Sequence, residues 1–326
     1  MRLHAVGATE TGKVRSHNED VILIREDLQL FAVCDGAGGH QAGDVAAQLA
    51  AKSVANYLET TARQRDQLPD FDRFGIAVAA RYLSRAIHEA NREVHAAAQR
   101  VARERGMGST IAAMLFSPSS GQLHVAHVGD SRCYRQRGGD FEPLTRDHSL
   151  LNDVLAERPD VDEEVLARLP RNVVTRALGM AAKTRVSIAS FDVNPSDRYL
   201  LCTDGLGGYV PDQTIAACVG DARPAGAVVQ LLINAADEAG GKDNVGIVLV
   251  ECLETTVSAE SRSHRLEAQR RAARTRAEQA SSPELLLVGI EEMDVFKAVE
   301  SLTGSGRSAD GDPARLEAVD SEHDDE

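Results

Sequence analysis

The apolar positions in the first 250 residues or so fall into short runs that are separated by turn residues. Runs of this length, rich in Val, Leu, Ile and Ala, are typical of β-strands. One of them continues past a tight Gly129-Asp130 interruption, and another alternates apolar and polar residues as a half-buried strand does. The predicted strands cover residues 28–34, 109–116, 123–134, 185–193, 198–202 and 245–252.

Three other segments carry apolar residues at helical spacing. They cover residues 43–58, 75–105 and 224–239, and Arg and Glu occupy the opposite face of the second. The third begins at Pro224, which suits the first position of a helix, and stops at a Gly-Gly pair. Strands and long helices are grouped rather than regularly alternating, so the pattern predicts an α+β fold.

The character of the chain changes near residue 253. Residues 258–279 are rich in Arg, Ala and Ser, a short apolar segment follows at 283–302, and the end is rich in Asp and Glu. We predict a folded domain over residues 1–253. For residues 254–326 we predict an Arg-rich linker, a short apolar segment and an acidic tail with too much charge for a core.

Charge and cysteine content narrow the class of protein. A net charge of −14 disfavours binding to nucleic acid or to an anionic membrane, which both depend on Lys and Arg. The five cysteines are scattered and form no CxxC pair, which fits a reducing compartment. The first residues contain no continuous apolar stretch of the kind found in signal peptides. We expect a monomeric cytoplasmic protein that contacts neither nucleic acid nor membrane.

Aspartates next to glycines recur at the ends of the predicted strands. Asp35-Gly36, Gly129-Asp130 and Asp204-Gly205 each follow an apolar run, and Asp243 precedes one. A single Asp-Gly pair is most simply explained as a turn. Four such sites joined to strands are better explained by carboxylates that converge on one point.

Converging carboxylates repel each other unless cations lie between them. Hard divalent ions such as Mg²⁺ and Mn²⁺ prefer oxygen ligands, and a Gly beside the Asp leaves room for the ion. The RSHNED segment adds Arg15, Glu19 and Asp20 ahead of the apolar residues 21–24. An Arg at this place is a candidate for bidentate contact with phosphate.

These residues occur in motifs that resemble the metal-dependent protein phosphatase family, also called protein phosphatase type 2C. The resemblance extends roughly over residues 9–252. The GDSR and TRALG motifs are most similar to those of the bacterial members of the family. The motifs stand in the family's order: RSHNED (15–20), VCDGAGGH (33–40), GMGST (106–110), HVGDSRCY (127–134), LTRDHSL (144–150), NVVTRALG (172–179), CTDGL (202–206) and KDNVGIVLV (242–250).

The resemblance implies a four-layer sandwich of two antiparallel sheets flanked by helices, with a centre of two Mn²⁺ or Mg²⁺ ions. By position in the motifs, Asp35 bridges the two ions and the Gly36 carbonyl binds one of them. Asp204 and Asp243 complete the primary ligands, and Asp130 holds a third, weaker ion. These assignments are implications of the family likeness.

The resemblance also implies a reaction. Arg15 binds the substrate phosphate, Asp20 orients a metal-bound water with Glu19 as a further ligand, and a bridging hydroxide attacks phosphorus directly. Eukaryotic members often carry His after the Asp-Gly pair, where this chain has Ala37. His40, at the end of the same motif, is a candidate substitute that would contact substrate.

The implied activity is hydrolysis of phosphoserine and phosphothreonine in proteins, opposing a bacterial Ser/Thr kinase. Residues 150–172 correspond to a flap over the site. Two alternatives stay open on the sequence alone. One is a pseudophosphatase that binds phosphoproteins without turnover, and the other is a hydrolase of a small phosphorylated metabolite or phosphodiester.

Overall fold

The fold was determined from a computed structural model, which describes residues 1–38, 42–100, 106–170 and 173–253. The chain divides into a unit of residues 1–279 and a unit of residues 280–326, and the described residues all belong to the first. Within them, no helix has the length and apolar character required to cross a membrane.

Eleven strands and seven helices make up the described part of the chain. The strands are β1 (Arg2–Glu10), β2 (Asp20–Arg25), β3 (Leu30–Ala37), β4 (Gly108–Ser109), β5 (Ile111–Ser117), β6 (Gln122–Val128), β7 (Arg132–Arg137), β8 (Asp140–Pro143), β9 (Ser187–Asp192), β10 (Arg198–Cys202) and β11 (Val245–Leu253). The helices are α1 (Ala42–Asp66), α2 (Val78–Arg100), α3 (Leu150–Glu157), α4 (Glu163–Arg168), α5 (Asp204–Gly207), α6 (Asp212–Val219) and α7 (Ala225–Glu238).

The strands form two antiparallel sheets. The first sheet has the order β1-β11-β10-β7-β8, and the second has the order β2-β3-β5-β6-β9, with the short β4 paired to β3. The chain passes from the second sheet to the first between β6 and β7, through the turn at Gly129-Asp130. This crossing puts an aspartate between the two sheets.

Three hydrophobic cores define four layers. Side chains such as Phe31 and Leu201 fill the space between the sheets. Residues on the other face of the second sheet, such as Leu30, pack under α1 and α2. Residues on the other face of the first sheet, such as Leu200, pack under α5, α6 and α7. The central strands are therefore buried on both faces, which explains why they read as continuous apolar runs.

The predicted α+β sandwich is confirmed, with local differences. β1 was not predicted, because it is an edge strand of mixed polarity that contains Gly7. β2 was recognised only as an apolar segment. Pro224 is the residue before α7 rather than its first residue, and α2 starts at Val78 rather than at residue 75. The predicted end of α2, at 101–105, lies outside the described residues.

Candidate active site

Five aspartates from both sheets meet at one end of the sandwich. Asp20 is the first residue of β2 and stands directly opposite Asp35 of β3 in the sheet register. Asp204 follows β10 as the first residue of α5, Asp243 lies two residues before β11, and Asp130 lies in the turn between β6 and β7. The aspartates that the sequence singled out are therefore brought together.

Burial and mutual repulsion raise the pKa values of these carboxyl groups. The pKa of Asp20 rises to about 8, first because the group is buried and then because Asp204 and Asp243 repel its charge. The pKa of Asp35 is raised for the same reasons, with Asp20, Asp204 and Asp130 as its charged neighbours. The site thus concentrates more negative charge than it can hold without a cation or bound protons.

The other two carboxyl groups of the cluster follow the same trend. Burial raises the pKa of Asp130 to about 7, with repulsion from Asp204 as the next cause. Burial also raises the pKa of Asp204, and Asp243 adds to this rise. Asp204 and Asp35 lie close enough for each to shift the pKa of the other. Two carboxylates in such contact compete for one proton unless a metal replaces it.

Arg15 is the positive group of the site. Its Nη2 donates to Oδ2 of Asp243 over 2.7 Å. Half of the Arg15 side chain (50%) is exposed, whereas the Asp243 side chain is only 17% exposed. The guanidinium therefore lies at the mouth of the carboxylate cluster, with part of its surface open to a ligand.

Thr203 and Gly246 attach Asp20 to the first sheet. The Thr203 hydroxyl donates to Oδ2 of Asp20 over 2.7 Å and accepts from the Gly246 N–H over 2.8 Å. The hydrogen bond to Thr203 also counteracts part of the rise in the pKa of Asp20. Because Thr203 precedes Asp204, this contact also fixes the start of α5.

Asn244 holds the loop that carries Arg15 and Glu19. Its side-chain Oδ1 accepts from the Glu19 N–H over 2.9 Å, and its Nδ2 donates to the carbonyls of Thr11 and His17 over 2.9 and 2.8 Å. Its backbone N–H donates to Oδ1 of the adjacent Asp243 over 2.9 Å. One amide side chain thus orients both the Arg15 loop and an aspartate of the cluster.

The start of α1 forms a tight cradle beside Asp35. A Cβ atom on Gly43 would lie 2.7 Å from the Gly36 carbonyl oxygen and 2.7 Å from Oε1 of Glu19, so both oxygens border the same small space. Oε1 of Glu19 is buried and has no hydrogen-bond partner among the described residues. Burial raises the pKa of Glu19. A buried oxygen without a hydrogen-bond partner is a feature that a cation can satisfy.

The turn that carries Asp130 is fixed by histidine and hydroxyl groups. The Gly129 N–H donates to Nδ1 of His148 over 3.1 Å, so this nitrogen is unprotonated, and the His148 ring stacks on His127 at 4.4 Å. The pKa of His148 falls to about 3, mainly through burial. Thr110 and Ser131 share a hydrogen bond of 2.7 Å on the other side of the turn. Both histidines therefore support the loop as neutral groups.

Arg132 joins this turn to the first sheet and to α5. Its guanidinium makes a bidentate contact with Asp147, with distances of 2.9 Å from Nε to Oδ1 and 2.7 Å from Nη2 to Oδ2. Nη1 donates to the carbonyl of Gly207 over 2.7 Å. Arg132 thereby couples the position of Asp130 to that of the helix that begins with Asp204.

The donor set matches a hard divalent cation. Every group of the cluster offers oxygen, as Mg²⁺ and Mn²⁺ prefer, and several carboxyl groups have raised pKa values that a cation would lower. In the described part of the chain, no three Asp, Glu, His or Cys side chains form a ready-made cage for one ion. This agrees with the contacts present, because Arg15 engages Asp243. Ions that keep several waters do not need a complete protein cage.

Most of the candidate residues from the sequence lie at this end of the sandwich. They are Arg15, Asp20, Asp35, Gly36, Asp130, Asp204 and Asp243. His40 lies outside the described residues. The supporting contacts of Thr203, Asn244 and Arg132 were not predicted. The sequence does contain a hint of these contacts, because each of the three residues lies within two positions of a motif aspartate. A polar residue so placed is a candidate hydrogen-bond partner for the groups of the site.

Comparison with known proteins identifies the family. Residues 11–220 match the protein phosphatase 2C family. A serine/threonine phosphatase of Listeria monocytogenes is 32% identical over 253 residues, which cover 76% of this chain and 96% of that protein. The serine/threonine protein phosphatase PstP of Mycobacterium tuberculosis is 31% identical over 252 residues, which cover 77% of this chain and 45% of that protein.

Solved structures show the same fold. The catalytic domain of PstP, crystallised with two manganese ions, has a TM-score of 0.64 and 30% identity, covering 77% of this chain and 99% of that one. The phosphatase Stp1 of Staphylococcus aureus has a TM-score of 0.67 and 28% identity, covering 78% of this chain and 96% of that one.

The chain belongs to the protein phosphatase 2C family. The family and the fold predicted from the sequence are confirmed, and so is the prediction of a protein phosphatase. Neither the family nor the relatives support the non-catalytic scaffold.

Proposed function

We propose that this chain is a metal-dependent phosphatase that hydrolyses phosphoserine and phosphothreonine in proteins. The observation that carries the proposal is the cluster of aspartates with raised pKa values at one end of the sandwich, with Arg15 at its mouth. Relatives named serine/threonine phosphatases support the substrate class.

The proposal assigns the metal ligands to the chain's own oxygens. Asp35, Asp204, Asp243 and the Gly36 carbonyl would hold two Mn²⁺ or Mg²⁺ ions, and Asp130 a third, weaker one. The PstP catalytic domain with two manganese ions supports the number of the principal ions. When bound, such ions lower the pKa of water and offset negative charge on a phosphoryl group.

Arg15 is the proposed phosphate-binding residue. The guanidinium already contacts Asp243, and its exposed part can donate two parallel hydrogen bonds to phosphate oxygens. This position would hold the phosphoryl group above the carboxylate cluster. His40 stays a candidate for contact with substrate at the same site.

Asp20 is the proposed residue that orients the attacking water. Its Oδ2 is taken by Thr203, so we assign the water to Oδ1. A cation at the neighbouring Asp35 would lower the pKa of Asp20 and keep its carboxyl group ionised. An ionised carboxylate can accept the hydrogen bond from the attacking water.

The described cysteines do not offer a competing route. Cys34, next to Asp35, is fully buried, and burial strongly raises the pKa of its thiol. A neutral buried thiol is a poor nucleophile. We therefore propose direct attack of water on phosphorus, without a phosphorylated enzyme.

The proposed partners are phosphorylated proteins, including a Ser/Thr kinase and its substrates. Residues 150–172, which contain α3 and α4, are the proposed flap. Arg176 approaches Asp153 of α3 at 3.8 Å, which would tie the flap to the main body.

A single-turnover reaction in ¹⁸O-labelled water tests the chemistry. With a phosphothreonine peptide and Mn²⁺, we expect one ¹⁸O atom in the released phosphate and no covalently labelled protein. Phosphotyrosine and phosphodiester substrates, run in parallel, should react far more slowly. A trapped phospho-enzyme would refute direct attack, and a faster reaction of a phosphodiester would refute the substrate class.

A further inference from the structure

Two loops meet beside the aspartate cluster and form a positively charged edge on an acidic protein. We call this edge the basic rim and define it as Lys13, Arg15 and Lys242. The net charge of the chain is −14, and it has only five lysines, yet two of them lie here.

Backbone contacts fix the two loops against each other. The N–H groups of Lys13 and Val14 both donate to the Gly241 carbonyl, over 2.7 and 3.2 Å. Gly12 adopts φ +76°, and a Cβ there would lie 2.4 Å from the Asp243 carbonyl oxygen. Only Gly permits this approach. The rim is therefore organised before any ligand arrives, which lowers the entropic cost of binding.

Lys242 is the rim residue whose charge has no assigned task. Lys13 donates to the Asp237 carbonyl at the end of α7 over 2.8 Å, and Arg15 pairs with Asp243. Lys242 is exposed, and among the described residues no carboxylate forms an ion pair with it. Its ammonium instead lies 5.8 Å from the centre of the Tyr209 ring, a cation–π distance.

Tyr209 connects Lys242 to the reaction site. Tyr209 is 40% exposed, and the pKa of its hydroxyl is raised first by burial and then by the charges of Asp243 and Asp204, with Arg15 acting in the opposite direction. Lys242 also directly precedes Asp243, so its Cα is about 3.8 Å from that of a proposed metal ligand. A peptide spans about 3.3–3.6 Å per residue, so Lys242 faces residues close to the phosphorylated one.

We propose that Lys242, positioned by Tyr209, binds an acidic side chain near the phosphorylated residue of the substrate. The inference rests on the proposed function and names its preferred substrate: phosphopeptides with Asp or Glu within about three residues of the phosphothreonine. Arg15 would take the phosphate, and Lys242 would take the flanking carboxylate.

The test compares two phosphothreonine peptides that differ only in flanking Glu or Gln. Because exposed ion pairs contribute about 0.2–1 kcal/mol each, we expect kcat/KM to be about 1.4- to five-fold higher for the Glu peptide, mainly through KM. The preference should shrink when NaCl is raised from low to high concentration.

Variants separate a charge contact from general damage. Lys242→Met should bring the Glu/Gln ratio close to one, and Lys242→Glu should invert it. Lys52→Met is the matched control, because it removes an exposed lysine from α1, on the outer face of the second sheet, and should keep the ratio. Tyr209→Phe keeps the ring and should keep the ratio, whereas Tyr209→Leu should reduce it.

Three results would overturn the inference. A wild-type ratio of one, or a ratio that survives in Lys242→Met, would show that Lys242 does not contact the flanking residue. An equal loss of kcat/KM on both peptides in Lys242→Met would assign Lys242 to support of Asp243. If wild-type protein hydrolyses neither peptide, the proposed function fails, and this inference fails with it.

Discussion

The hydroxyl of Thr203 donates a 2.7 Å hydrogen bond to Oδ2 of Asp20 and thereby joins the two sheets at the active end of the sandwich. Thr203 follows β10 of the first sheet, and Asp20 opens β2 of the second. The same hydroxyl accepts from the Gly246 N–H. This one buried side chain therefore contributes directly to the relative position of the carboxylates from the two sheets.

Replacing Thr203 tests this role. Thr203→Val keeps the shape but leaves the buried Gly246 N–H unpaired, so we expect a loss of about 1–3 kcal/mol in the free energy of unfolding. Thr203→Ser keeps the hydroxyl and should lose less. Urea unfolding of the two variants, together with Mn²⁺ titration, measures both effects. If Thr203→Val and Thr203→Ser had the same free energy of unfolding and the same Mn²⁺ affinity, the hydroxyl group would have no part in joining the sheets.

The metal-free protein should become less stable as pH rises. The folded-state pKa of Asp20, about 8, lies above its ordinary value, so the folded protein binds more protons than the unfolded one between about pH 4 and 8. The free energy of unfolding is therefore highest at about pH 4 and falls towards about pH 8. Over this range the unfolded chain has released the Asp20 proton, whereas the folded protein still binds it. The raised pKa values of Asp35 and Asp204 act in the same direction.

Thermal unfolding in EDTA at several pH values between 5 and 8 measures this effect. We expect the midpoint to fall by several degrees, and Mn²⁺ to restore more stability at pH 8 than at pH 5, because it replaces the lost protons. Asp20→Asn should reduce the pH dependence, and the part due to Asp35 and Asp204 should remain. A midpoint that rises with pH in EDTA, and equally so in Asp20→Asn, would contradict the predicted repulsion.

Arg15→Ala should mainly weaken substrate binding. The removal of a charge-assisted contact with phosphate costs about 1.5–3 kcal/mol, so we expect KM to rise roughly ten- to a hundred-fold. Arg15→Lys keeps the positive charge but lacks the planar guanidinium, so its KM should lie between those of the wild type and Arg15→Ala. Steady-state kinetics with a phosphothreonine peptide provide the comparison. Unchanged KM and kcat in Arg15→Ala would remove Arg15 from the site.

Gly43→Ala should damage the cradle at the start of α1. The new Cβ would lie 2.7 Å from both the Gly36 carbonyl oxygen and Oε1 of Glu19, so these groups must move. We expect Mn²⁺ affinity to fall about ten-fold or more, as read by calorimetry. Gly226→Ala is a matched control, because Gly226 is also the second residue of its helix and a Cβ there meets only one atom, at 4.0 Å. Equal affinity in both variants would show that the cradle holds no metal ligand.

The family, and the role of the aspartates as candidate site residues, could be predicted from the ordered motifs because each motif is a short stretch of sequence. The hydrogen bonds that aim these groups are not local. Thr203 lies 183 residues from Asp20, and Asn244 lies 225 residues from Glu19. Such contacts depend on how the two sheets are placed against each other, which no local pattern encodes. The strand β1 was missed because an edge strand with mixed polarity lacks a clear period.

Other features of the sequence remain predictions. The boundary near residue 253 rests on a change in composition, and residues 254–326 lie outside the described part. His40 also lies outside it. Lys242 was not singled out, because a lone lysine in a Gly-rich turn gives no signal until its neighbour Tyr209 is placed.

Phosphate release from a phosphothreonine peptide, with and without millimolar Mn²⁺, tests the central claim most directly when wild-type protein is compared with Asp204→Asn. The account predicts release that depends on Mn²⁺ in the wild type and falls by at least about a thousand-fold in Asp204→Asn, because the variant loses a proposed metal ligand. Folded, Mn²⁺-treated wild-type protein that releases no phosphate, or an Asp204→Asn variant that is as active as the wild type, would contradict it.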